Sequence, residues 1–293
     1  VMNYTKSLLR ALTSIDTEHE FVLMYQNPAH VETYARRNVR EIAIPIPSRI
    51  GWDQLAVRLI EKREKLDVIF NPKYSVPLLA DCRTVFVCHG LDWYVMPWAS
   101  RYFDRLSHRV LIPRYTRKAD EIIAVSDSAR QDMINYLGVD EEKVTRIYLG
   151  VNEEFRRPVA VATLDIVRHR YHLPRRFMLY VGQIYPPKNF GNLLRAYASV
   201  GPRLGINLVI AGTHTWLCER ELKLIDELGL KPWIIQPGWI DHESLPAFYA
   251  LALALLLPSL YEACPSPLLE AMAVGCPIVT SNRNGCREIA GDA

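Results

Sequence analysis

The chain has 293 residues, 49% of them hydrophobic and 23% charged, with a net charge of +3. That composition excludes a disordered chain, and so small a charge gives no electrostatic ground for a nucleic-acid partner. The six cysteines (82, 88, 218, 264, 276 and 286) form no C-x-x-C pair, which argues against a zinc site or a disulfide framework. They read as small core residues in a reducing, cytoplasmic compartment. There is no signal-peptide pattern, and no apolar run reaches the ~18 residues needed to span a bilayer. The longest apolar stretch, Ala247–Pro258, contains Tyr249 and reads as the end of a helix followed by a buried strand.

The length predicts two domains at ~150 residues each. The chain opens on a helical pattern from Tyr4 to Leu12 with no strand before it, and residue 1 is Val. Together with an end at Gly291-Asp292-Ala293, just past a loop, this reads as a fragment whose first strand and C-terminal segment are missing. Strands are then expected at Phe21–Tyr25, Ile42–Ile46, Val68–Phe70, Val85–Cys88, Ile122–Val125 and Val144–Tyr148. In the second half they are expected at Phe177–Val181, Asn207–Ala211, Trp233–Gln236, Ala254–Leu257 and Pro277–Thr280. These are continuous Val/Ile/Leu runs separated by amphipathic helices, the pattern of parallel strands covered on both faces. The fold class is therefore α/β, with two Rossmann-like, doubly wound parallel-sheet domains facing a cleft and a ligand at the strands' carboxyl ends. Residues 1–155 form the first domain, 156–175 a charged, proline-containing linker, and 176–293 the second domain.

The segment Pro258–Gly275 carries the chemistry. A strand ends at Pro258, and a loop of small residues and proline follows. Ser266 can cap a helix beginning at Pro267, and Gly275 can close it. The first turn's N–H groups then form an anion site. Glu262 lies in the loop and Glu270 in the helix. A carboxylate accepts two hydroxyl hydrogen bonds in one plane, so one of the pair can hold vicinal sugar hydroxyls and the other a ribose diol. Glu270 could instead favour the helix dipole, although a capping box would need Glu at 269. Lys188 follows the Gly182 loop and precedes a helix; its plainer reading is a solvated lysine. His89, at the end of the Val85–Cys88 strand and before Gly90, faces a cleft or is a satisfied structural histidine. No D-x-D triplet occurs, in keeping with a site that uses no metal and no cofactor. Basic residues cluster at Arg36, Arg37 and Arg40, at Lys62, Arg63 and Lys65, and along Arg101–Lys118. They are either a solvated face or a peripheral contact with an anionic membrane on its inner face.

Glu262 and Glu270 with seven residues between them, followed by Ala271-Met272-Ala273 and Gly275-x-Pro277-Ile278-Val279, resemble the E-x7-E block of family-4 retaining glycosyltransferases of the GT-B fold. Tyr180-Val181-Gly182, Lys188-Asn189-Phe190 and Leu193–Ala196 resemble that family's phosphate loop. Leu208–Gly212 and Pro237–Ile240 resemble the strands flanking its nucleotide, and Ile123–Ala129 and Leu149–Asn152 its domain junction. The resemblance implies retaining transfer of a mannose- or glucose-type hexose from a nucleoside-diphosphate sugar to a glycan or lipid-linked acceptor. It implies catalytic roles for His89 and Glu262. It also implies donor contacts from Gly182, Gln183, Lys188, Gly212, Ile240, Cys264, Ser266, Leu268, Leu269 and Glu270. Lys188 would neutralise the departing diphosphate and Glu270 would bind the ribose. A GT-B epimerase or phosphorylase, and a nucleotide-sugar-binding fragment without catalysis, are the rival readings. Two features depart from the family: Gln183 stands where many members carry Arg, and Ala263-Cys264-Pro265 replaces the usual Gly-Phe-Gly.

Overall fold

The computed structural model describes residues 2–15, 18–34, 36–100, 102–213, 218–238 and 240–292. Val1, Arg101 and Trp239 lie outside the described residues. Two compact units form: residues 1–89, 102–125 and 129–147 make the first, and residues 90–101, 126–128 and 148–293 the second.

Among the described residues, the first unit opens on the helix Met2–Leu12 and holds six strands. Strands β1 (Phe21–Tyr25) and β2 (Val39–Ala43) pair in parallel, Phe21 opposite Val39. Strands β3 (Val68–Asn71), β4 (Arg83–Cys88), β5 (Glu121–Ala124) and β6 (Val144–Arg146) form a parallel sheet in that spatial order. Phe86, Val87 and Cys88 are consecutive and all fully buried, so β4 is covered on both faces, as its unbroken apolar run requires. The helical run from Arg49 to Glu64 contains a π turn, Trp52–Ala56. An extra residue in one turn rotates the remainder of the helix about its axis, and here the usual polarity is locally reversed. Asp53 and Glu61 are buried while Ile50, Leu55 and Leu59 are exposed. The buried carboxylates are used: Glu61 accepts the N–H groups of Asp81 and Cys82 at 2.6 and 2.8 Å, and Asp53 accepts the Ser75 hydroxyl at 3.0 Å.

The second unit is built on a five-stranded parallel sheet. Its strands are β7 (Phe177–Val181), β8 (Asn207–Ala211), β9 (Ile234–Ile235), β10 (Ala254–Leu257) and β11 (Ile278–Thr280), in the spatial order β11-β10-β7-β8-β9. Alternate side chains enter separate cores. Phe177, Leu179, Val181, Val209, Leu255 and Leu257 join one apolar cluster, and Tyr180, Leu208 and Ile210 the other. A strand has period two, so two cores on one sheet require continuous hydrophobicity.

All eleven expected strands are present, with bounds shifted at β2 and β5, extended at β3 and β4, and shortened at β6, β9 and β11. The linker expected over 156–175 is different. Helices Glu153–Arg156 and Val161–Arg170 form there, and Phe155, Val167 and Leu173 are buried in the core of the second unit. Of the charged residues that suggested a connection, Arg156, Asp165 and Arg170 lie exposed on these helices, while Arg157, Arg175 and Arg176 lie outside them. Among the described residues, no helix is long and apolar enough to cross a membrane.

Candidate functional site

The site lies in the second unit, where the loops after β7, β8 and β10 meet. Gly182 follows β7 with φ +138°, a region that favours glycine, and its N–H donates to the Ala211 carbonyl at 3.0 Å. Gly212 follows β8. A Cβ at position 212 would lie 1.8 Å from the Gly182 carbonyl oxygen, so only glycine at 212 permits this approach. The chain then turns through Pro186–Lys188, with Asn189 in the left-handed region at φ +58°. Two bonds fasten this turn to the loop after β10: Asn189 Nδ2 donates to the Pro258 carbonyl at 3.0 Å, and the Leu260 N–H donates to the Pro187 carbonyl at 2.7 Å.

That fastening brings Lys188 against Glu262, 74 residues away, and Lys188 Nζ donates to Glu262 Oε1. Ser259 Oγ donates to the same oxygen at 2.7 Å. Both partners of the ion pair are 12% exposed, so their attraction is screened far less than at a surface. The Glu262 backbone is held as well: its carbonyl accepts the Gly285 N–H at 2.9 Å, and a Cβ at 285 would lie 2.0 Å from the Ala263 carbonyl oxygen. Tyr185 stands beside the lysine, its ring centroid 6.0 Å from Nζ. Burial, and then the Glu262 charge, push its phenol up.

Glu270 is placed apart from this pair. The helix spans Ser266–Val274 and ends at Gly275 in the left-handed region, as expected, so Glu270 sits in its second turn. Glu270 Oε2 accepts the hydroxyl of fully buried Tyr249 at 2.7 Å. Burial raises its pKa, while the Tyr249 bond, nearby His242 and the Ser266 hydroxyl pull it back. His242 Nδ1 stands 3.1 Å from Glu154 Oε1, and its ring packs edge-on against Phe155.

The helix start differs from the expectation. Pro265, not Ser266, occupies the cap position, and Ser266 is the first helical residue. The Pro265 carbonyl accepts the Leu268 N–H at 3.0 Å, and Ser266 bonds to Glu270 one turn on. Since Pro267 has no N–H and that of Leu268 is engaged, the first turn offers an anion fewer donors than the sequence suggested. The Leu268 side chain is fully buried in the core, so any contact it makes with a ligand is confined to its backbone. Leu269 and Ile240 are half-buried, the latter packed on the same core. Cys264 is a free, half-buried thiol that burial pushes up to about 11, so it is inert at neutral pH. Gln183 is exposed, and its carbonyl accepts the Tyr180 hydroxyl at 2.9 Å.

His89 belongs to the first unit. It follows β4, half-buried, with Nε2 2.9 Å from the Pro72 carbonyl and its ring edge-on to Tyr4 and Tyr74. A carbonyl can only accept, so Nε2 carries the proton. Burial lowers the pKa to about 4, which keeps the ring neutral and Nδ1 an acceptor. Sequence reading missed Ser259, Tyr249 and Asp92 as partners of the site. Asp92 lies three residues after His89, and its carboxyl is raised by burial and coupled to the charges of Glu262 and Lys188. Among the described residues, no group of three or more His, Cys, Asp or Glu side chains could hold a metal ion.

Residues 1–155 match the model of Glycosyltransferase Family 4, and residues 166–293 that of Glycosyl transferases group 1. The chain is 28% identical over 240 residues to the O-antigen chain mannosyltransferase B of Escherichia coli, covering 79% of this chain and 61% of that protein. It is 31% identical over 232 residues to the serotype-specific mannosyltransferase WbdA of the same species, covering 75% of this chain and 28% of that protein. The chain thus spans less than two thirds of the length of these relatives. Among solved structures, HepE of Anabaena in complex with UDP and glucose superposes with a TM-score of 0.70 at 18% identity, over 91% of this chain and 74% of that one. With more than half of its length matched by one family model and its two parallel-sheet units shared with solved GT-B structures, the chain belongs to glycosyltransferase family 4.

Proposed function

We propose that this chain is the nucleotide-sugar-using part of a retaining hexosyltransferase that builds cell-surface polysaccharide. The observation that carries the reading is the fastening of the β7 and β10 loops, which sets Lys188 on Glu262 at the carboxyl edge of one sheet. Ligands of such sheets bind at that edge. Lys188 is a compact point charge where a leaving diphosphate would develop charge, and Glu262 has the acceptor oxygens that sugar hydroxyls require. Diphosphate entry would draw Lys188 from Glu262 and free that carboxylate for the sugar. Glu270, on its tyrosine, would take the ribose hydroxyls. The mannosyltransferase names of the relatives favour a mannose-type donor. With a lysine in place, the diphosphate needs no metal, and retention would proceed by attack on the face the diphosphate leaves. His89, held neutral, would offer Nδ1 as a hydrogen-bond acceptor to a sugar hydroxyl.

The acceptor would be a glycan or a lipid-linked sugar, met at the cytoplasmic face of a membrane. The exposed stripe of Ile50, Leu55 and Leu59, with exposed Lys62 and Arg63 on the same helical run, suits an anionic surface. Sedimentation with vesicles containing phosphatidylglycerol should retain the protein, and Leu55→Asp/Leu59→Asp should release it. Absence of binding by the wild type would end this part of the reading. The central test is transfer by the full-length protein from GDP-mannose and UDP-glucose to a lipid-linked acceptor. Sugar transfer that Glu262→Gln abolishes supports the reading, and normal rates in that variant refute it.

A further inference from the structure

Asp92 stands at the start of the short helix Asp92–Val95 and belongs to the same unit as Lys188 and Glu262. The segment before it is locked to the Glu262 loop. The Leu91 N–H donates to the Tyr261 hydroxyl at 2.8 Å, a bond between residues 170 apart in sequence. Gly90 has φ +112°, and a Cβ there would lie 2.8 Å from Ala263 Cβ and 3.2 Å from the Tyr261 hydroxyl. The backbone of Gly90 and Leu91 therefore touches the residues on both sides of Glu262, in a contact that admits no side chain at position 90. Leu91 and Trp93 are buried, which fixes the turn, while Asp92 between them stays partly open.

Asp92 makes no ion pair among the described residues. Its carboxylate is steadied by the N–H groups of Trp93 and of Asp92 itself, and it feels Glu262 and Lys188 with opposite signs. A carboxylate has about four acceptor positions, so several remain for hydroxyl hydrogens. A site built only for an anion would not set two carboxylates around its lysine, because each repels the incoming charge. A site that must also hold a neutral polyol needs such acceptors. We propose that Asp92 is a third carboxylate of the donor site, accepting hydrogen bonds from hydroxyls of the transferred sugar and thereby selecting among sugars. This assignment rests on the donor reading above.

The test compares a nucleotide sugar with the bare nucleotide. Titration calorimetry on the full-length protein with GDP against GDP-mannose, and UDP against UDP-glucose, gives the share of affinity owed to the sugar. Asp92→Asn should weaken nucleotide-sugar binding about tenfold or more, as loss of a charged hydrogen-bond acceptor predicts. Affinity for the bare nucleoside diphosphate should hold or rise, because a nearby negative charge has been removed. Equal losses on both ligands, or no loss on either, would overturn the proposal. If Asp92→Asn does not fold, as judged by its thermal midpoint, Asp92→Glu serves: a loss confined to the sugar-bearing ligand supports the assignment, and an equal loss on both refutes it. Failure of the wild type to bind any of the four ligands would instead strike the donor reading itself, and the assignment of Asp92 would fall with it.

Discussion

Glu262 and Glu270 are the same residue type eight positions apart, yet their surroundings give them different properties. Glu262 lies on a loop, where Lys188 and the Ser259 hydroxyl both donate to one of its oxygens. Glu270 lies on a helix against the neutral hydroxyl of Tyr249, in an environment whose burial opposes its charge. The first arrangement suits a group that must be anionic and must exchange partners when a ligand arrives. The second suits a group that holds one neutral diol in place. In both, the surroundings rather than the residue type set the role.

The largest expected effect is that of Glu262→Gln. It keeps shape and loses charge, and the rate of transfer should fall by about 10²–10³-fold if the carboxylate acts at the reacting sugar. Affinity for the bare nucleoside diphosphate should hold or rise, because Lys188 is released from a competing negative charge. Steady-state kinetics with isothermal titration on the same samples checks both halves. Loss of nucleotide affinity without loss of turnover would exchange the roles given to the two glutamates.

Lys188→Ala should act on the other partner of the pair. It removes the charge that meets the diphosphate, with an expected loss of about 10²-fold in kcat. It also leaves Glu262 poorly exposed and without its cation. Breaking such a pair costs roughly 3 kcal/mol, at the lower end for one that water still reaches. Differential scanning calorimetry should register a lowered Tm, and combining the change with Glu262→Gln should restore part of it. A Tm drop in the double variant equal to the sum of the two singles would show that the ion pair adds nothing to stability.

The contrast between the glutamates was only partly legible in the chain. Their spacing, Lys188 and the glycines at 182 and 212 could be read because local motifs carry them. The strands could be read because burial on both faces leaves continuous apolar runs, even where an edge strand such as β9 keeps only two residues. Tyr249, Ser259 and Asp92 could not be read as site partners, since each acquires its meaning from a fold contact. The segment Gly90–Leu91 meets its partner 170 residues later. Residues 156–175 misled because their apolar positions, Val159, Leu164, Val167 and Leu173, are sparse among charges and join a core built mainly by other segments. The reversed face of the 49–64 run depends on a π turn, whose register the usual 3.6-residue period does not anticipate.

Glu270→Gln should have a smaller and more selective effect. If Glu270 holds the ribose, affinity for the bare nucleoside diphosphate falls about tenfold while kcat at saturation is kept, the reverse of Glu262→Gln. Stability should move the other way. The Glu270 pKa is raised in the folded protein, so the folded state binds this proton more tightly than the unfolded chain does. Its contribution to stability is therefore fully present below the ordinary carboxylate pKa and is lost as pH rises through the folded value. Above that folded value the wild type carries a buried charge that Gln lacks, so Glu270→Gln should melt at an equal or slightly higher temperature there. The advantage should shrink as the pH falls through the raised folded value, where Glu270 becomes neutral in the wild type as well. Thermal melts of both proteins across that range check the sign. A Gln variant that is less stable at neutral pH and recovers in acid would mean that the Tyr249 and His242 environment favours the charge, which would remove the contrast with Glu262.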